Sequence, residues 1–435
     1  MTRILLVLLA LAQPQPQAGT LTAEERALTA FVDTDNAQAL ALLERVVNIN
    51  SGTMNFAGVR EVGAALRPEF DALGFKTEWV DGSPFARAGH LVAEHPGTGP
   101  RILLIGHLDT VFEPDSPFQK FERLGPASAK GPGVTDMKGG DVVMLQALKA
   151  LQSVGALESM NIAVVITGDE EAAGRPLSLA RAALVTAAQG ADVAIGFEDG
   201  DGNPATAVIG RRGTTNWELR VKGKPAHSSQ IFNAENGYGA IFETARILNA
   251  FRETLASQPH LTFNPGVILG GTSVDYDAAA SRGAGFGKSN VIAEHTVVTG
   301  DVRALSPEQF SEAKKAMQAI VAASLPRTSA TLTFDDGYPA LAPTAGNERL
   351  LALYNRASLD VGAGPVVAVD PDKAGAADVS FVAGQAPMIL DGVGLMGSGG
   401  HTVEETADLT TLPLMTRRMA VLLLRLHRNG VKSSR

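Results

Sequence analysis

Buried apolar segments alternate with amphipathic helices in the first half of the chain, and this alternation limits the fold more than any other feature. Three aliphatic runs have the length of buried strands: Arg101 to Gly106, Asn161 to Thr167 and Val193 to Phe197. Helical patterns lie between them, at residues 140–151 and 177–188, and an amphipathic helix is predicted before them at 37–47. This strand–helix–strand order predicts an α/β fold with a largely parallel sheet that is covered by helices on both faces.

The pattern changes after Gly210. Residues 215–221 (TNWELRV) alternate apolar and polar side chains, as a half-solvated antiparallel strand does. Two further strands are predicted at 261–269 and 290–303, with a glycine-rich break at 270–287, and two helices at 237–257 and 306–325. We therefore expect a main domain formed by residues 19–212 and 334–435, interrupted by an inserted α+β domain at 213–333.

Composition narrows the possible chemistry. The chain has 435 residues, with 37 basic and 46 acidic side chains, eight histidines and no cysteine. The net charge of −9 argues against nucleic acid as a partner, because phosphate binding needs clustered Lys and Arg. Without cysteine there is no disulfide, no thiolate metal site and no cysteine nucleophile. Any metal must therefore be held by His, Asp or Glu.

The first 18 residues are predicted to be a signal peptide. Arg3 precedes the apolar run 4–12, and Ala10-Leu11-Ala12 is a small-residue cleavage pattern. The run is shorter than the ~20 residues that a membrane-spanning helix needs. We expect a periplasmic or secreted protein with no stable membrane association once the signal is removed. A frayed N-terminal helix is the alternative interpretation.

Polar side chains follow the predicted strands, where the carboxyl ends of parallel strands meet. The first strand is followed by His107 and Asp109, which face the same way because they are two residues apart. Asp136 lies in a glycine-rich turn before a helix. The later strands are followed by Asp169, Glu170, Glu171, Glu198 and His401. Singly, each has a commoner explanation as a surface histidine, a helix-capping aspartate or a solvated acidic face.

Together these side chains predict a two-metal site. Each ion would take one histidine and one terminal carboxylate, and a third carboxylate would bridge the ions. Two Zn²⁺ ions carry four positive charges, which three carboxylates and a hydroxide would neutralise. Asp109 supplies the carboxylate to which a metal-bound histidine usually donates its second N–H. The G-x-G-x-x-G match at 392–397 is a weak sign of dinucleotide binding, because no clear helix follows it.

With these residues in place, the chain resembles the dinuclear zinc peptidase family of glutamate carboxypeptidase, aminoacylase and succinyl-diaminopimelate desuccinylase. Within that family it is most similar to the bacterial glutamate carboxypeptidases. The resemblance covers nearly the whole chain after the leader. It rests on ordered motifs: GHLDTV at 106–111, GPGVTDMKGG at 131–140, DEE at 169–171, FE at 197–198, GKPAHSS at 223–229, SNVI at 289–292, DVRAL at 301–305, AGAADVSFVA at 374–383 and GGHTVEE at 399–405.

The resemblance implies a role for each candidate residue of the main domain, which would be the catalytic domain. The implied zinc ligands are His107 and Glu198 for one ion, His401 and Glu171 for the other, and Asp136 for both. Asp109 would orient His107, and Glu170 would act as the general base.

The resemblance also implies that the inserted domain is a lid and a dimerisation domain. His227 would cross a homodimer to polarise the scissile carbonyl of the neighbouring subunit's substrate. Asn290 and Arg303 would hold the free carboxylate of that small-molecule substrate. From the residues alone, His227 could equally be a surface histidine and Arg303 a charge on a strand face.

The function that the resemblance implies is a carboxypeptidase that releases a C-terminal amino acid from an N-acyl or peptidyl substrate. The alternatives are an N-acyl-amino-acid amidohydrolase, a dipeptidase or desuccinylase, and a non-catalytic binding protein on the same fold. The glutamate carboxypeptidases carry a lysine where this chain has Thr206, and an arginine where it has Tyr338. Arg211 and Arg212 lie close to Thr206 in sequence and could replace that lysine. The sequence therefore also allows an apolar or aromatic C-terminal residue in the substrate.

Overall fold

The computed structural model describes residues 21–278 and 280–431, and the predicted signal peptide lies outside them. Nine α-helices occur within the described ranges: α1 (Ala23–Val47), α2 (Phe56–Ala72), α3 (Lys138–Ser153), α4 (Leu177–Ala180), α5 (Ala182–Ala187), α6 (Gly239–Leu255), α7 (Pro307–Ala322), α8 (Ala345–Asp360) and α9 (Thr411–Asn429). In these ranges no helix combines the length and the apolar character that crossing a bilayer requires.

The same part of the chain forms eighteen strands. They are β1 (Lys76–Asp81), β2 (Gly89–His95), β3 (Thr98–His107), β4 (Glu122–Arg123), β5 (Ser128–Lys130), β6 (Met160–Thr167), β7 (Val193–Gly196), β8 (Thr206–Ala207), β9 (Gly213–Lys222), β10 (Thr262–Gly271), β11 (Ser273–Asp277), β12 (Arg282–Phe286), β13 (His295–Ala304), β14 (Ser329–Asp336), β15 (Val367–Ala368), β16 (Met388–Leu390), β17 (Gly397–Ser398) and β18 (Thr406–Asp408).

Six of these strands form the main sheet, in the order β1-β2-β6-β3-β7-β16. The pairs β6/β3, β3/β7 and β7/β16 are parallel, whereas β2 is antiparallel to both of its neighbours. Alternate residues of β3 enter two apolar layers. Ile102 and Leu104 pack with residues of α1, α3 and α9, and Leu103 and Ile105 pack with α5 on the other face. This sheet confirms the predicted α/β class.

A separate antiparallel sheet, in the order β10-β13-β9-β14, lies between Gly213 and Asp336. Trp217, Leu219 and Val221 alternate along β9 and form an apolar core with residues of α6 and α7. The residues between them face away from this core and are polar. The chain thus combines a mostly parallel sheet with a separate α+β unit, as predicted, whereas the boundaries at 213 and 333 stay predictions.

The first helix is longer than the sequence pattern indicates. α1 begins at Ala23, although the amphipathic pattern predicts a helix only from Ala37. Thr22 and Glu25 form a capping box, in which each side chain accepts a hydrogen bond from the backbone N–H of the other residue. Leu28 is completely buried and extends the apolar face toward this cap.

The glycine-rich stretch 270–287 contains a β-hairpin, so the predicted break there is wrong. β11 and β12 pair antiparallel along all five of their residues. The hydroxyl of Tyr276 lies 3.3 Å from Thr299 Oγ1 of β13, which ties the hairpin to the sheet. Glycine disfavours strands intrinsically, and this pairing overrides that preference. The next predicted strand starts late, because Asn290 lies in a turn and β13 begins at His295.

The helix predicted at 177–188 is divided into α4 and α5 at Arg181. Arg181 has φ −109° and ψ 5°, outside the helical range. Its buried guanidinium pairs with Asp169 and Asp378 at 2.6 and 2.7 Å. These ion pairs fix the side chain at a point where the backbone leaves the helical conformation.

Candidate metal centre and active site

The predicted site residues of the main domain lie at or beyond the strand ends at one edge of the main sheet. His107 ends β3, the acidic run that begins at Asp169 follows β6, and Glu198 follows β7. β3 lies between β6 and β7 and runs parallel to both, so the carboxyl ends of these strands meet. The topology therefore brings the three loops together.

Five of the predicted side chains form two groups that share Asp136. His107 Nε2 lies 3.1 Å from Asp136 Oδ1 and 3.6 Å from Glu198 Oε1. His401 Nε2 lies 2.9 Å from Asp136 Oδ2 and 3.1 Å from Glu171 Oε2. Within each group, one potential ligand atom from each residue lies within 4.8 Å of the others. Asp136 thus directs a different carboxylate oxygen at each imidazole.

Two glycines let the surrounding loops approach the end of β7. A Cβ atom at Gly140 would lie 1.9 Å from the carbonyl oxygen of Phe197, and one at Gly394 would lie 2.1 Å from the same oxygen. No side chain fits at either position, so α3 and the loop that leads to His401 both close on this strand end. His401 itself has φ 62°, in the left-handed region that is uncommon for residues other than glycine.

Asp109 is completely buried and links two loops. Its main-chain oxygen lies 3.0 Å from His107 Nδ1, whereas its carboxylate oxygen Oδ1 lies 3.5 Å away. A carbonyl oxygen only accepts, so in a neutral ring Nδ1 carries the proton and Nε2 keeps its lone pair. The carboxylate accepts hydrogen bonds from the N–H groups of Glu170 and Glu171, at 3.0 and 3.1 Å, and from Thr53 Oγ1, at 2.6 Å. Asp109 therefore positions His107 mainly through its backbone and uses its side chain to hold the acidic loop.

The cluster concentrates negative charge in a largely buried place, from which only His401 is well exposed. Burial and the neighbouring carboxylates raise the pKa values of Glu170 and Glu198 well above the ordinary range. Burial opposes the charged form of His107, but Glu198 and Asp136 outweigh it and raise the pKa of this imidazole well above its usual value. Hydrogen bonds to the two carboxylates beside it raise the pKa of His401 to about 11. Such shifts are typical of carboxylates that repel one another unless a cation compensates them.

The donor set fits a pair of divalent ions. Each group offers one imidazole nitrogen and two carboxylate oxygens, which are donors that Zn²⁺ and several other divalent metals accept. A carboxylate with one oxygen directed at each group suits two ions ~3.5–4 Å apart. The excess of buried acids over imidazoles also calls for added positive charge.

Residues 103–425 match the family model described as peptidase family M20/M25/M40. The chain belongs to this family. Carboxypeptidase G2 from Pseudomonas sp. is 25% identical over 405 residues, which span 91% of this chain and 91% of the relative. The resemblance indicated by the motifs is thereby confirmed, and the chain is a hydrolase of the M20 metallopeptidase family.

Solved structures share the fold of this M20 chain. A tripeptidase from Staphylococcus aureus superposes with a TM-score of 0.70 at 21% identity, covering 90% of this chain and 99% of its own. A dinuclear metal-binding peptidase of the M20 family from Bacillus subtilis superposes with a TM-score of 0.64 at 15% identity, covering 91% and 99%. These likenesses establish the fold of this chain.

Glu405 supports the turn that carries Asp136 and is a site residue that the sequence analysis missed. It is completely buried, and its carboxylate accepts hydrogen bonds from the N–H groups of Gly133, Thr135 and Asp136 at 2.9, 2.8 and 3.1 Å. Its place in the GGHTVEE motif, four residues after His401, was the available signal. The sequence does not show which of the two adjacent glutamates is buried.

A second missed feature is the charge network beneath the acidic loop. Arg181 is 1% exposed, and besides its two ion pairs it donates to the hydroxyl of Tyr338 at 2.7 Å. Its partner Asp378 also accepts from the Thr167 hydroxyl, at 2.6 Å. The partners of Arg181 come from three distant stretches of chain, so no local motif predicts this network.

Arg303 lies near the start of the inserted unit. It pairs with Thr214 in the β13/β9 ladder, next to the residue at which β9 begins. Its Nε lies 2.9 Å from Asp301 Oδ2, and 42% of its side chain is exposed. Arg303 therefore has a guanidinium that solvent or a ligand can reach.

The other two predicted residues of the insert lie beyond the opposite end of that ladder. His227 and Asn290 are neighbours, since Ser228 N–H donates to the Asn290 carbonyl oxygen at 2.9 Å. His227 is exposed, and its Nδ1 lies 2.8 Å from Ser229 Oγ. Among the described residues, no hydrogen bond joins His227 to the two metal-binding groups. The structure thus brings His227 and Asn290 together and separates them from Arg303.

The cationic side chains near Thr206 are bonded within the chain. The Thr206 hydroxyl lies 2.5 Å from Asp201 Oδ1 and 2.9 Å from the Asn203 carbonyl oxygen. Arg211 is buried and donates from Nε to Asp391 Oδ2 at 2.7 Å. Arg212 donates from Nη2 to the carbonyl oxygen of Asp372 at 2.9 Å. Arg211 and Arg212 therefore have partners in the chain itself, which weakens the expectation that they replace a substrate-binding lysine.

A third group of potential ligands consists of His260, Asp370 and Asp372 and lies on the surface. Nη1 of Arg212 lies 3.8 Å from Asp372 Oδ1, so a cation already faces this group. We assign no metal to it.

Proposed function

We propose that this chain is a di-zinc metallocarboxypeptidase that hydrolyses an amide or peptide bond and releases a C-terminal amino acid. The observation that carries the proposal is the pair of ligand groups that share Asp136, with the half-buried Glu170 beside them. Each group supplies the nitrogen and oxygen donors that zinc takes in hydrolytic sites.

The five ligands divide between two ions. One ion would be held by His107 and Glu198, the other by His401 and Glu171, and both by Asp136. When bound, the ions lower the pKa of water toward ~7 and polarise the scissile carbonyl.

Glu170 is the group that would move the proton. It would take a proton from the attacking water and pass it to the leaving amine, as a positioned carboxylate can. Its backbone N–H donates to Asp109 Oδ1 at 3.0 Å, which restricts the position of the Glu170 side chain.

Substrate recognition would come from the inserted unit. The half-exposed guanidinium of Arg303 has the planar fork that binds a carboxylate bidentately, which would select a free C-terminal carboxylate. Asn290 would donate from its side-chain amide to the same group. His227 would donate to the carbonyl oxygen, on which negative charge develops.

The separation of these residues supports a homodimer. The ladder runs from Thr214, paired with Arg303, to Lys222, paired with His295. Eight residues at ~3.3 Å each give about 26 Å, and His227 lies beyond that end. One small substrate can contact both Arg303 and His227 only if the two residues come from different subunits.

The surface of the inserted unit also supports self-association. Phe232, Ile241 and Phe242 are 56, 52 and 50% exposed, and the rings of Phe232 and Phe242 are 5.2 Å apart. Contiguous exposed apolar side chains of this kind usually mark an interaction site. We propose that they meet a second copy of this chain.

The released amino acid is proposed to have an apolar or aromatic side chain. Thr206 and Tyr338 are neutral, and Arg211 and Arg212 are bonded internally. An acidic substrate side chain would lack a free cationic partner among these four residues.

Two other functions remain candidates. An N-acyl-amino-acid amidohydrolase or a dipeptidase would use the same ligands and the same base on a different acyl group. A non-catalytic binding protein on this fold is disfavoured, because Glu170 is present beside all five ligands.

A hydrolysis panel tests the proposal. N-acyl and peptidyl amino acids that differ in the C-terminal residue are incubated with the zinc-loaded protein, and released amino acids are quantified. We expect release with a preference for apolar or aromatic residues. No release from any substrate would contradict the proposed function, and release confined to glutamate would contradict the proposed preference.

We also propose that the protein acts in the periplasm or outside the cell. The support is the basic residue, apolar run and small-residue pattern within residues 1–18. Sequencing the N-terminus of protein recovered from cell fractions tests this, and an uncleaved cytoplasmic product would contradict it.

A further inference from the structure

The main chain of Glu170 is held on both sides by side chains from different parts of the fold. Its N–H donates to Asp109 Oδ1 at 3.0 Å. Its carbonyl oxygen accepts a hydrogen bond from the hydroxyl of Tyr338 at 2.6 Å. Asp109 belongs to the edge of the main sheet, whereas Tyr338 follows β14 by two residues, at the exit from the inserted unit.

Tyr338 stands where the chain enters and leaves the inserted unit, a place we call the root. The carbonyl oxygen of Tyr338 accepts from the N–H of Thr214 at 2.9 Å, so the outgoing and returning segments are bonded together. A Cβ atom at Gly213 would lie 2.6 Å from the Tyr338 carbonyl oxygen and 2.6 Å from the Ala340 nitrogen. The two segments are therefore too close for any residue other than glycine at position 213.

The single proton of the Tyr338 hydroxyl is already used in a hydrogen bond within the chain. The hydroxyl accepts from Nη2 of the buried Arg181 at 2.7 Å and donates its single proton to the Glu170 carbonyl oxygen. Its ring packs edge-on against Phe381, with centroids 4.9 Å apart. Because its proton is already used, the phenol is suited to hold Glu170 in place and is not suited to donate to a substrate.

We propose that Tyr338 is a positioning residue that couples the root of the inserted unit to the main chain of Glu170. Movement of the insert about its root shifts Tyr338, and the shift reaches the Glu170 peptide through one hydrogen bond. The location of the base thus depends on the orientation of the insert. This inference rests on the proposed role of Glu170 as the general base.

Tyr338→Phe removes only the hydroxyl. We expect kcat to fall about tenfold, because a small displacement of a catalytic group is costly, while KM changes less than twofold and metal content stays the same. The matched control is Tyr354→Phe, a completely buried tyrosine whose hydroxyl lies 3.9 Å from Met415 Sδ. The control is expected to retain the kcat of the unmodified enzyme.

Gly213→Ala disturbs the root while leaving the phenol intact. We expect kcat to fall in the same way. KM is not a readout for this variant, because Thr214, the β9 partner of Arg303, adjoins Gly213. Gly266→Ala is its control within the insert, because the nearest atom to the added Cβ would be 3.7 Å away.

Amide hydrogen exchange gives a readout that does not depend on activity. In Tyr338→Phe and Gly213→Ala, exchange should quicken in the segment 168–174 and stay unchanged in α3 and α9. Unchanged exchange in this segment and unchanged kcat would overturn the coupling, as would equally faster exchange throughout the chain. If the unmodified protein hydrolyses nothing, the proposed function fails, whereas the exchange result still decides the coupling.

Discussion

The candidate metal-ligand cluster and the polar residues of the inserted unit differ in how the fold assembles them. The cluster is complete within one chain, because three adjacent parallel strands and two loops end at the same sheet edge. The insert presents Arg303 near its root and His227 with Asn290 beyond the far end of the same ladder. Strands that end at the same sheet edge bring the residues after them close together, whereas residues at opposite ends of an antiparallel ladder lie far apart.

This difference separates two kinds of function within one chain. Metal binding and proton transfer need atoms a few ångströms apart, and the sheet edge supplies that spacing. In the proposed function, recognition of the whole substrate would use residues that only a second subunit could bring to the same place. Substitutions in the two regions should therefore behave differently when subunits are mixed.

The largest loss of bound zinc and of turnover is expected on substitution of Asp136, the residue that the two ligand groups share. Asp136→Ala removes an oxygen donor from both groups and leaves two imidazoles facing two carboxylates. We expect zinc content, measured by mass spectrometry after gel filtration, to fall from two ions to fewer than one per chain, and turnover to fall to background. Chelation of the unmodified enzyme should have the same effect and be reversed by Zn²⁺. Two retained ions would contradict a bridging role.

The second effect concerns His227. His227→Ala should lower kcat by about a hundred- to a thousandfold, the usual cost of losing an oxyanion donor, while both ions stay bound. Mixing this variant with an inactive Glu170→Gln variant should restore about a quarter of the activity after subunit exchange, because each mixed dimer has one intact site. No restoration, with mixed dimers shown by mass spectrometry, would mean that His227 serves its own subunit.

A smaller effect is expected for Arg303. Arg303→Ala should raise KM about ten- to a hundredfold for substrates with a free carboxylate, because a charge-assisted contact is lost. For the amidated form of the same substrate, the variant and the parent should differ little. Arg220→Ala, on the same sheet and paired with Glu218, is the control. An equal loss for both substrate forms would assign Arg303 a structural role.

The smallest effect, a moderate loss of zinc affinity, is expected on substitution of Glu405. Glu405→Gln keeps the shape but weakens the acceptor for three N–H groups of the turn that carries Asp136. Zinc affinity should fall about tenfold, as is usual for residues that support metal ligands. The exposed neighbour Glu404→Gln is the control and should bind zinc as the parent does. Equal affinities in both variants would contradict the supporting role.

The sequence predicted the sheet edge well, because strand pattern and motif order are local properties. Each candidate ligand follows a strand or lies in a glycine-rich loop, and the parallel order of the strands brings these loops together. The supporting contacts could not be predicted in this way. Arg181 divides a predicted helix, Glu405 supports a turn 270 residues away, and Tyr338 bonds Glu170 across 168 residues. These contacts depend on tertiary packing, which the hydrophobic periodicity of the sequence does not predict.

The hairpin shows the same limit in the inserted unit. Its glycine-rich sequence predicts a break, yet β11 and β12 pair along their full length. Intrinsic strand preference is weak enough for neighbouring strands to override it. Sequence patterns therefore predicted the continuously buried strands most reliably. They were least reliable for segments whose conformation depends on pairing with another strand.

The most direct test of a hydrolytic site built on these two groups is Glu170→Gln, with zinc content and single-turnover hydrolysis measured on the same preparation. Glu170 is not among the five ligands, so two zinc ions should stay bound. The rate of amide cleavage should fall about a hundred- to ten-thousandfold, because the group that moves the proton is lost. A variant that keeps both ions and cleaves at the unmodified rate would contradict the role of Glu170 as the base.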